Sequence, residues 1–360
     1  MLDPLELSRL FSCAQQPVLG TDGARILFSN PRAAAAFGFD PTGRKVQELI
    51  PPEVFGCEAE SYVCAVRLCG RAASVSVSKQ AGITLLFVRF TEETKPAMYL
   101  TRGFFSNLRN SMTGLKLAVD RCCRTDAAES ENREKYIAVL YHYYYSLLRS
   151  VTQLDSADQL ERGEMLFTPV RTELVALCAD IADTVAVLCA ERGTAVQFTT
   201  AEGELYAVVD PDRIEQLLLN LISNSLQHTK PGGKITITLG QSGSRITLSV
   251  DDDGDGIPPE KLPEAFSLPA DPEEPGAAGG GLGLGLYIAS GIAQLHGGVL
   301  LIESRTDRGT RVRVMLPADG EPAPKFKTPE TAYRVEGAGK VLTALADALP
   351  SACYGPKYED

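Results

Sequence analysis

The chain is poor in the residues that metal and covalent chemistry favour. Its 360 residues include three histidines, His142, His228 and His296. Cysteines stand at positions 13, 57, 64, 69, 122, 123, 178, 189 and 353, and no two have C-x-x-C spacing. That combination argues against a zinc site and predicts reduced, mostly buried thiols. No apolar run reaches the roughly 18 residues that cross a bilayer, and no signal-peptide pattern is present, so a cytoplasmic protein without a membrane span is expected. Positive charge is also scarce: 35 Lys and Arg against 46 Asp and Glu give a net charge of −11. This balance disfavours nucleic acid and anionic membrane surfaces as partners. A polyphosphate would have to be held by local dipoles, a metal ion and a few cations.

Residues 1–95 predict a small α+β module. Short strands are expected at Ile26-Leu27-Phe28, Ala73 to Val77 and Ile83 to Phe90, separated by turns such as Thr21-Asp22-Gly23 and Asp40-Pro41-Thr42-Gly43. Residues 96–162 change period. Leu100, Phe104, Leu108, Met112, Leu115, Val119 and Cys122 recur every three or four positions, as do Ile137, Tyr141, Tyr144, Leu148, Val151 and Leu154. Two long helices are predicted, over 96–124 and 132–162, folded back as an antiparallel hairpin at Arg124-Thr125-Asp126. One hairpin offers too little surface for two apolar stripes, so a second chain completing a four-helix bundle is expected.

Residues 165–317 alternate helices, at Leu174 to Arg192 and Pro211 to Gln227, with strands at Lys234 to Leu239, Arg245 to Val250 and Arg311 to Leu316. Ser267 to Gly280 is acidic and rich in Pro, Gly and Ala, which predicts a mobile lid. The tail, 318–360, carries one expected helix, Gly339 to Ala348.

Chemistry concentrates in the third region. In Asp252-Asp253-Gly254-Asp255-Gly256 a carboxylate leads a tight glycine turn, and a carboxylate accepts a hydrogen bond from an amino-bearing ring. Gly279-Gly280-Gly281-Leu282-Gly283-Leu284-Gly285 then opens an apolar helix, where backbone amides approach phosphate closely. Asn220 and Asn224 lie one turn apart on a helix, and an asparagine carbonyl suits Mg²⁺ that also holds phosphate oxygens.

Taken in order, the asparagine helix, Asp252-x-Gly254-x-Gly256, the lid, Gly281-x-Gly283-x-Gly285 and Gly309-Thr310 resemble the ATP-binding domain of sensor histidine kinases. That is the Bergerat-type α/β sandwich shared with gyrase and MutL. The resemblance implies Asn224 as a ligand of Mg²⁺, with Asn220 on the same face, and Asp252 as the acceptor of the adenine amino group of ATP. It implies that Gly254 and Gly256 shape the adenine wall, that Gly281, Gly283, Leu284 and Gly285 face the phosphates, and that Thr310 supports Asp252. His228 falls near the nucleotide in this likeness. Gln227 stands where the family commonly has a lysine, with Lys230 close by. Hydrolytic relatives place a water-activating glutamate where this chain has Asn220, which disfavours a gyrase-like ATPase.

Upstream, Asp22-Gly23, Asn30-Pro31, Phe37-Gly38 and Gly43-Arg44 resemble a PAS sensor domain. The hairpin, with its exit Leu154-Asp155-x-x-x-x-Gln159-Leu160-Glu161-x-Gly163, resembles the dimerisation and phosphotransfer module. That module normally presents a histidine, an acid and then Leu-Arg. Here Leu108-Arg109 puts Ser106 at the histidine, Asn107 at the acid and Ser111 at the usual proline. A serine hydroxyl needs a general base to attack, and an asparagine cannot be one. His142 lacks the motif context, and a packing or surface role is expected of it. The reading is therefore an ATP-binding signalling protein with a degenerate acceptor, forming homodimers or heterodimers and acting through a response regulator or partner kinase. Alternatives are a kinase phosphorylating a partner histidine in trans and an anti-sigma-like module that sequesters a regulator.

Overall fold

The computed structural model describes residues 4–57, 59–80, 82–90, 97–124, 130–258, 260–266, 282–318 and 338–354. The expected lid over 267–280, Gly281 and much of the tail lie outside the described residues.

The N-terminal part begins with α1 (Pro4–Leu10), β1 (Val18–Thr21), β2 (Ile26–Ser29) and α2 (Pro31–Phe37). It continues with β3 (Ser61–Leu68), β4 (Arg71–Gln80) and β5 (Ile83–Phe90). Local chemistry sets these boundaries. Asp22 closes the β1–β2 turn by accepting from the amides of Ala24 and Arg25 at 2.8 and 2.7 Å. Asn30 caps α2 by accepting from Ala33 N, Pro31 fills the first turn, and Gly38 ends the helix in the left-handed region at φ 78°. Cys69 and Gly70, both at positive φ, make the two-residue turn between β3 and β4. β1 and β3 were not expected from the sequence.

Two long helices follow, α3 (Ala97–Arg124) and α4 (Ser130–Arg162). They run antiparallel: Asn107 Nδ2 donates to Ser150 Oγ at 3.3 Å, and Gly114 lies under the Tyr143 ring. The face of α3 turned to α4 differs from the apolar stripe read from the sequence. Ser111, Gly114 and Ala118 are buried there, whereas Met112 is 58% and Val119 44% exposed. On α4 the buried residues include Tyr145, Arg149, Ser150, Gln153 and Ala157, while Tyr144 and Val151 are exposed. The physical reason is steric. Small side chains let two backbones approach closely, and the larger apolar ones are pushed to the outer face.

The remaining elements are β6 (Val170–Glu173), α5 (Leu174–Cys189), β7 (Ala195–Thr200), β8 (Tyr206–Val209), α6 (Pro211–His228), β9 (Lys234–Ser242) and β10 (Arg245–Asp252). After them come α7 (Gly285–Leu295), β11 (Val299–Ser304), β12 (Thr310–Pro317) and α8 (Ala338–Ala344). The expected helix over 339–348 is thus shorter, ending at Ala344. Helices α5, α6 and α7 cover one face of the β7–β9–β10–β12–β11 sheet, with Val185, Leu218, Ile222, Ile237, Leu248 and Ile292 in the shared core. Capping fixes where these helices begin. Glu173 accepts from the amides of Val175 and Ala176, and Asp210 from Arg213 N with Pro211 behind it.

The two β-rich parts form one ten-stranded sheet, β2-β1-β5-β4-β3-β11-β12-β10-β9-β7. The junction is an antiparallel ladder pairing Leu300 with Ala65, Leu301 with Cys64 and Ile302 with Val63. Because side chains alternate across a strand, Val63, Ala65, Leu300 and Ile302 enter one core, and Cys64, Val66, Val299 and Leu301 enter the other. Side chains reinforce the joint: Cys57 Sγ donates to Glu303 at 3.0 Å, and Arg245 pairs with Glu53 at 2.9 Å.

His296, just after α7, ties that helix to the start of α6. Its Nε2 accepts from Asp210 N at 3.1 Å while its Nδ1 lies 2.8 Å from Ile292 O. These partners require a neutral ring with its proton on Nδ1. Burial holds the imidazole below its ordinary value of 6.5.

Two outcomes are expected. Leu301→Ala, which opens a cavity in the N-terminal core from the C-terminal side of the joint, lowers unfolding free energy by about 2–5 kcal/mol. Urea denaturation gives the loss, and hydrogen exchange locates it in β3–β5 as well as β11. For His296 the sign follows from its lowered folded pKa. The unfolded chain binds the proton more tightly, so stability falls as pH drops from 6.5 through the folded value. In His296→Gln, thermal melting across that interval shows a flatter acid limb.

Candidate functional site

The site forms where β10 ends, α6 passes and α7 begins. Asp252, the last residue of β10, is 9% exposed. Its Oδ2 accepts from Ser225 Oγ at 2.8 Å, and its Oδ1 accepts from the amides of Gly254 and Thr310, both at 3.1 Å. A carboxylate has about four lone-pair sites, so one on Oδ2 remains for an external donor. Burial raises the Asp252 pKa, and the three donors oppose that shift without cancelling it.

The glycines here are required by close backbone approaches. A methyl group at Gly309 would overlap the carbonyl oxygen of Asp252, and one at Gly254 would overlap that of His228. At Gly256, which has φ 71°, it would overlap Arg305 O. The loop is also tied through Asp255, whose N donates to His228 O at 3.2 Å and whose O accepts from Asp307 N at 2.8 Å. Thr310 therefore holds Asp252 through its amide, while its hydroxyl meets Ser304 Oγ at 2.9 Å.

On α6, Asn220 is buried and Asn224, one turn later, is half-buried. Asn220 lies against the first residue of α7: a Cβ on Gly285 would stand 3.7 Å from Asn220 Oδ1. Gly283 holds φ 69°, Leu284 is fully buried, and α7 then runs for 11 residues with its N-terminal amides at the site. Such a terminus is suited to an anion. The His228 side chain is exposed at the rim. Lys230 is paired with Asp255 at 2.7 Å, both side chains well exposed.

Asn220, Asn224, Asp252, Gly254, Gly256, Gly283, Leu284, Gly285 and Thr310 thus lie on four elements, α6, β10, α7 and β12, and the loops beside them. Ser106 is on α3, a different element, and is exposed. His142 is on α4, packed edge-on against Tyr354 at 5.2 Å between ring centroids. Sequence reasoning missed Ser225 and Ser304. Neither has a spacing signal, because their partners Asp252 and Thr310 come from other strands. Chemically, the site combines a buried acceptor for an amino group, a polar helix face with an amide carbonyl, and a glycine-opened helix terminus. The donor set fits an adenine ring at one end and phosphates with a hard cation at the other.

Comparison with known proteins agrees with this geometry. Residues 209–320 match the family described as histidine kinase-, DNA gyrase B-, and HSP90-like ATPase. The histidine protein kinase DivJ of Caulobacter vibrioides is 40% identical over 144 residues, covering 37% of this chain and 24% of that protein. An uncharacterized sensor-like histidine kinase of Rhizobium meliloti is 29% identical over 215 residues, covering 58% of this chain and 40% of the relative. This chain therefore spans less than half the length of either. Among solved structures, the catalytic domain of histidine kinase ThkA is 28% identical with a TM-score of 0.38, covering 43% of this chain and 97% of that domain. Residues 209–320 thus belong to an ATPase domain of this family, and over that region and beyond it the chain is similar to sensor histidine kinases.

Proposed function

We propose that residues 165–317 bind Mg·ATP and that the chain is a signal-transduction protein whose own phosphoacceptor is degenerate. One observation carries the nucleotide assignment: the buried Asp252 carboxylate, held by three donors with one lone pair left, stands beside the glycine-opened start of α7. In this reading Asp252 accepts the adenine amino group, and Ser225, Gly254 and Thr310 keep the carboxylate aimed. Asn224 supplies an amide oxygen to Mg²⁺, and Asn220 positions the start of α7. Gly283, Leu284 and Gly285 form the phosphate side, to which Gly281, outside the described residues, is assigned by sequence, and His228 lies at the rim. Bound ATP supplies an activated phosphoryl group.

The rest of the chain is assigned on the same footing. Residues 1–95, whose described part is an antiparallel five-stranded sheet with two short helices, act as a PAS-like sensor. Residues 96–162 are the dimerisation hairpin, and the exposed Phe105, Met112, Leu117 and Val119 support a second copy or a related chain covering α3. Beside Ser106 stands Asn107, an amide rather than a base, which is turned to Ser150. Signalling then passes to a response regulator or partner kinase. A second reading, phosphorylation of a partner's histidine in trans, is favoured by the Asn224, Asp252 and glycine motifs of the donor site. An anti-sigma-like role fits less well with the long helices and the N-terminal module.

Direct titration with Mg·ATP tests the pocket. Asn224→Ala and Asp252→Ala are each expected to weaken binding at least about tenfold, or roughly 1.4 kcal/mol. Ser225→Ala is expected to weaken it less. Unchanged affinity in the first two overturns the assignment. Binding needs the ionised Asp252, whose pKa is raised above its ordinary 3.8. Affinity should therefore fall on acidification at a higher pH than an ordinary aspartate would give, and Asp252→Asn should lack that step.

Incubation with γ-labelled ATP separates the functional readings. Acid-labile label on this chain overturns the degenerate acceptor, and on an added partner it supports transfer in trans. Acid-stable label lost in Ser106→Ala places the acceptor at Ser106.

A further inference from the structure

Residues 338–354 touch several parts of the molecule at once. Asp347 forms an ion pair with Arg149 of α4 at 2.8 Å, with side chains only 3% and 6% exposed. Ser146 Oγ donates to the same carboxylate at 3.3 Å. The Tyr354 ring meets His142 and Tyr145 of α4 at 5.2 and 5.6 Å, and its hydroxyl donates to Leu342 O at 3.2 Å. On the opposite side, Cys353 Sγ lies 3.5 Å from Leu188 O of α5, and Lys340 pairs with Glu215 of α6 at 2.9 Å. Arg192 donates to Ala348 O at 2.6 Å and to Thr229 O, at the end of α6, at 2.5 Å. Val341, Leu342, Leu345 and Leu349 are buried in the core between these surfaces.

The fastening has a particular character. A seven-residue helix such as α8 has no stability of its own, so this segment holds its shape only while docked. A deeply buried ion pair adds little over apolar residues of equal volume, yet losing one partner leaves an uncompensated buried charge. The Arg149–Asp347 contact is therefore closed or open, with little between.

We propose that residues 338–354 are a latch that fixes α4 against the nucleotide domain and is released at Arg149–Asp347. While it is closed, the domain cannot reorient over the two long helices. Through Arg192 the latch is also joined to the end of α6, the helix that carries Asn220 and Asn224. Nucleotide and latch then act on each other, since coupling between sites is reciprocal. This last consequence rests on the nucleotide reading above; the latch does not.

Thiol alkylation of the full chain, with each cysteine followed by peptide mass spectrometry, tests it. Cys353 lies in the latch, and Cys178 and Cys64 are equally buried elsewhere. Asp347→Asn is expected to speed Cys353 labelling at least tenfold while Cys178 and Cys64 stay unchanged. No increase at Cys353 overturns the latch, as does an equal increase at Cys178, which marks Asp347 as a general stabiliser of the fold. Should that variant fail to fold, Lys340→Glu, which sets like charges at the rim, is expected to speed Cys353 labelling at least threefold with the same controls. Mg·ATP is expected to change Cys353 labelling at least threefold in the unmodified chain and not in Asp252→Ala. Absence of that change while titration shows binding overturns the coupling. Absence of binding in the titration overturns the site reading and leaves the Cys353 result standing.

Discussion

The register of the β3–β11 ladder determines which core each half of the molecule helps to build. Val63 and Ala65 leave the N-terminal part and enter the core under α5, α6 and α7, while Val299 and Leu301 make the reverse exchange. A slip of one residue would turn all of these side chains to the wrong face. The joint is thus specified by two hydrophobic cores at once, and the ion pair between Arg245 and Glu53 repeats that specification at the surface. A strand edge that would otherwise be exposed on each part is covered by the other. Movement in the N-terminal part accordingly has a direct route to β12 and to Thr310, whose amide holds Asp252.

Much of the C-terminal fold was legible because its signals are local. Alternation marked β9, β10 and β12, the helix period marked α5 and α6, and the order of glycine and asparagine motifs pointed to one pocket. What escaped was set by distant partners. β3 reads as an ordinary apolar run until β11 pairs with it. Ser225 is a neutral helix residue until β10 delivers Asp252. The period of α3 marked an apolar stripe, but Ser111, Gly114 and Ala118 decided which face meets α4, through their size. Asp347 and Arg149 lie almost two hundred positions apart, and nothing in either neighbourhood announces the pair.

The pocket and the helices divide the chemistry unevenly. Around Asp252 three donors hold the carboxylate, and three glycines are required by carbonyl oxygens pressed against them. On α3, Ser106 is exposed and its neighbour Asn107 is an amide. The polar buried face of α4, with Arg149, Ser150 and Gln153, fits a helix whose neighbours have to be chosen rather than merely covered.

The separation of β3 from β11 also governs the order of assembly. Cys57 and Glu303, which meet at this joint, are 246 positions apart. During synthesis β3 is complete long before its partner strand leaves the ribosome, and its free edge must wait with apolar side chains ready to pair. Such long-range closure is slow and leaves nascent chains open to wrong pairings. The edge of the N-terminal module is therefore closed by a strand made long after the rest of that module.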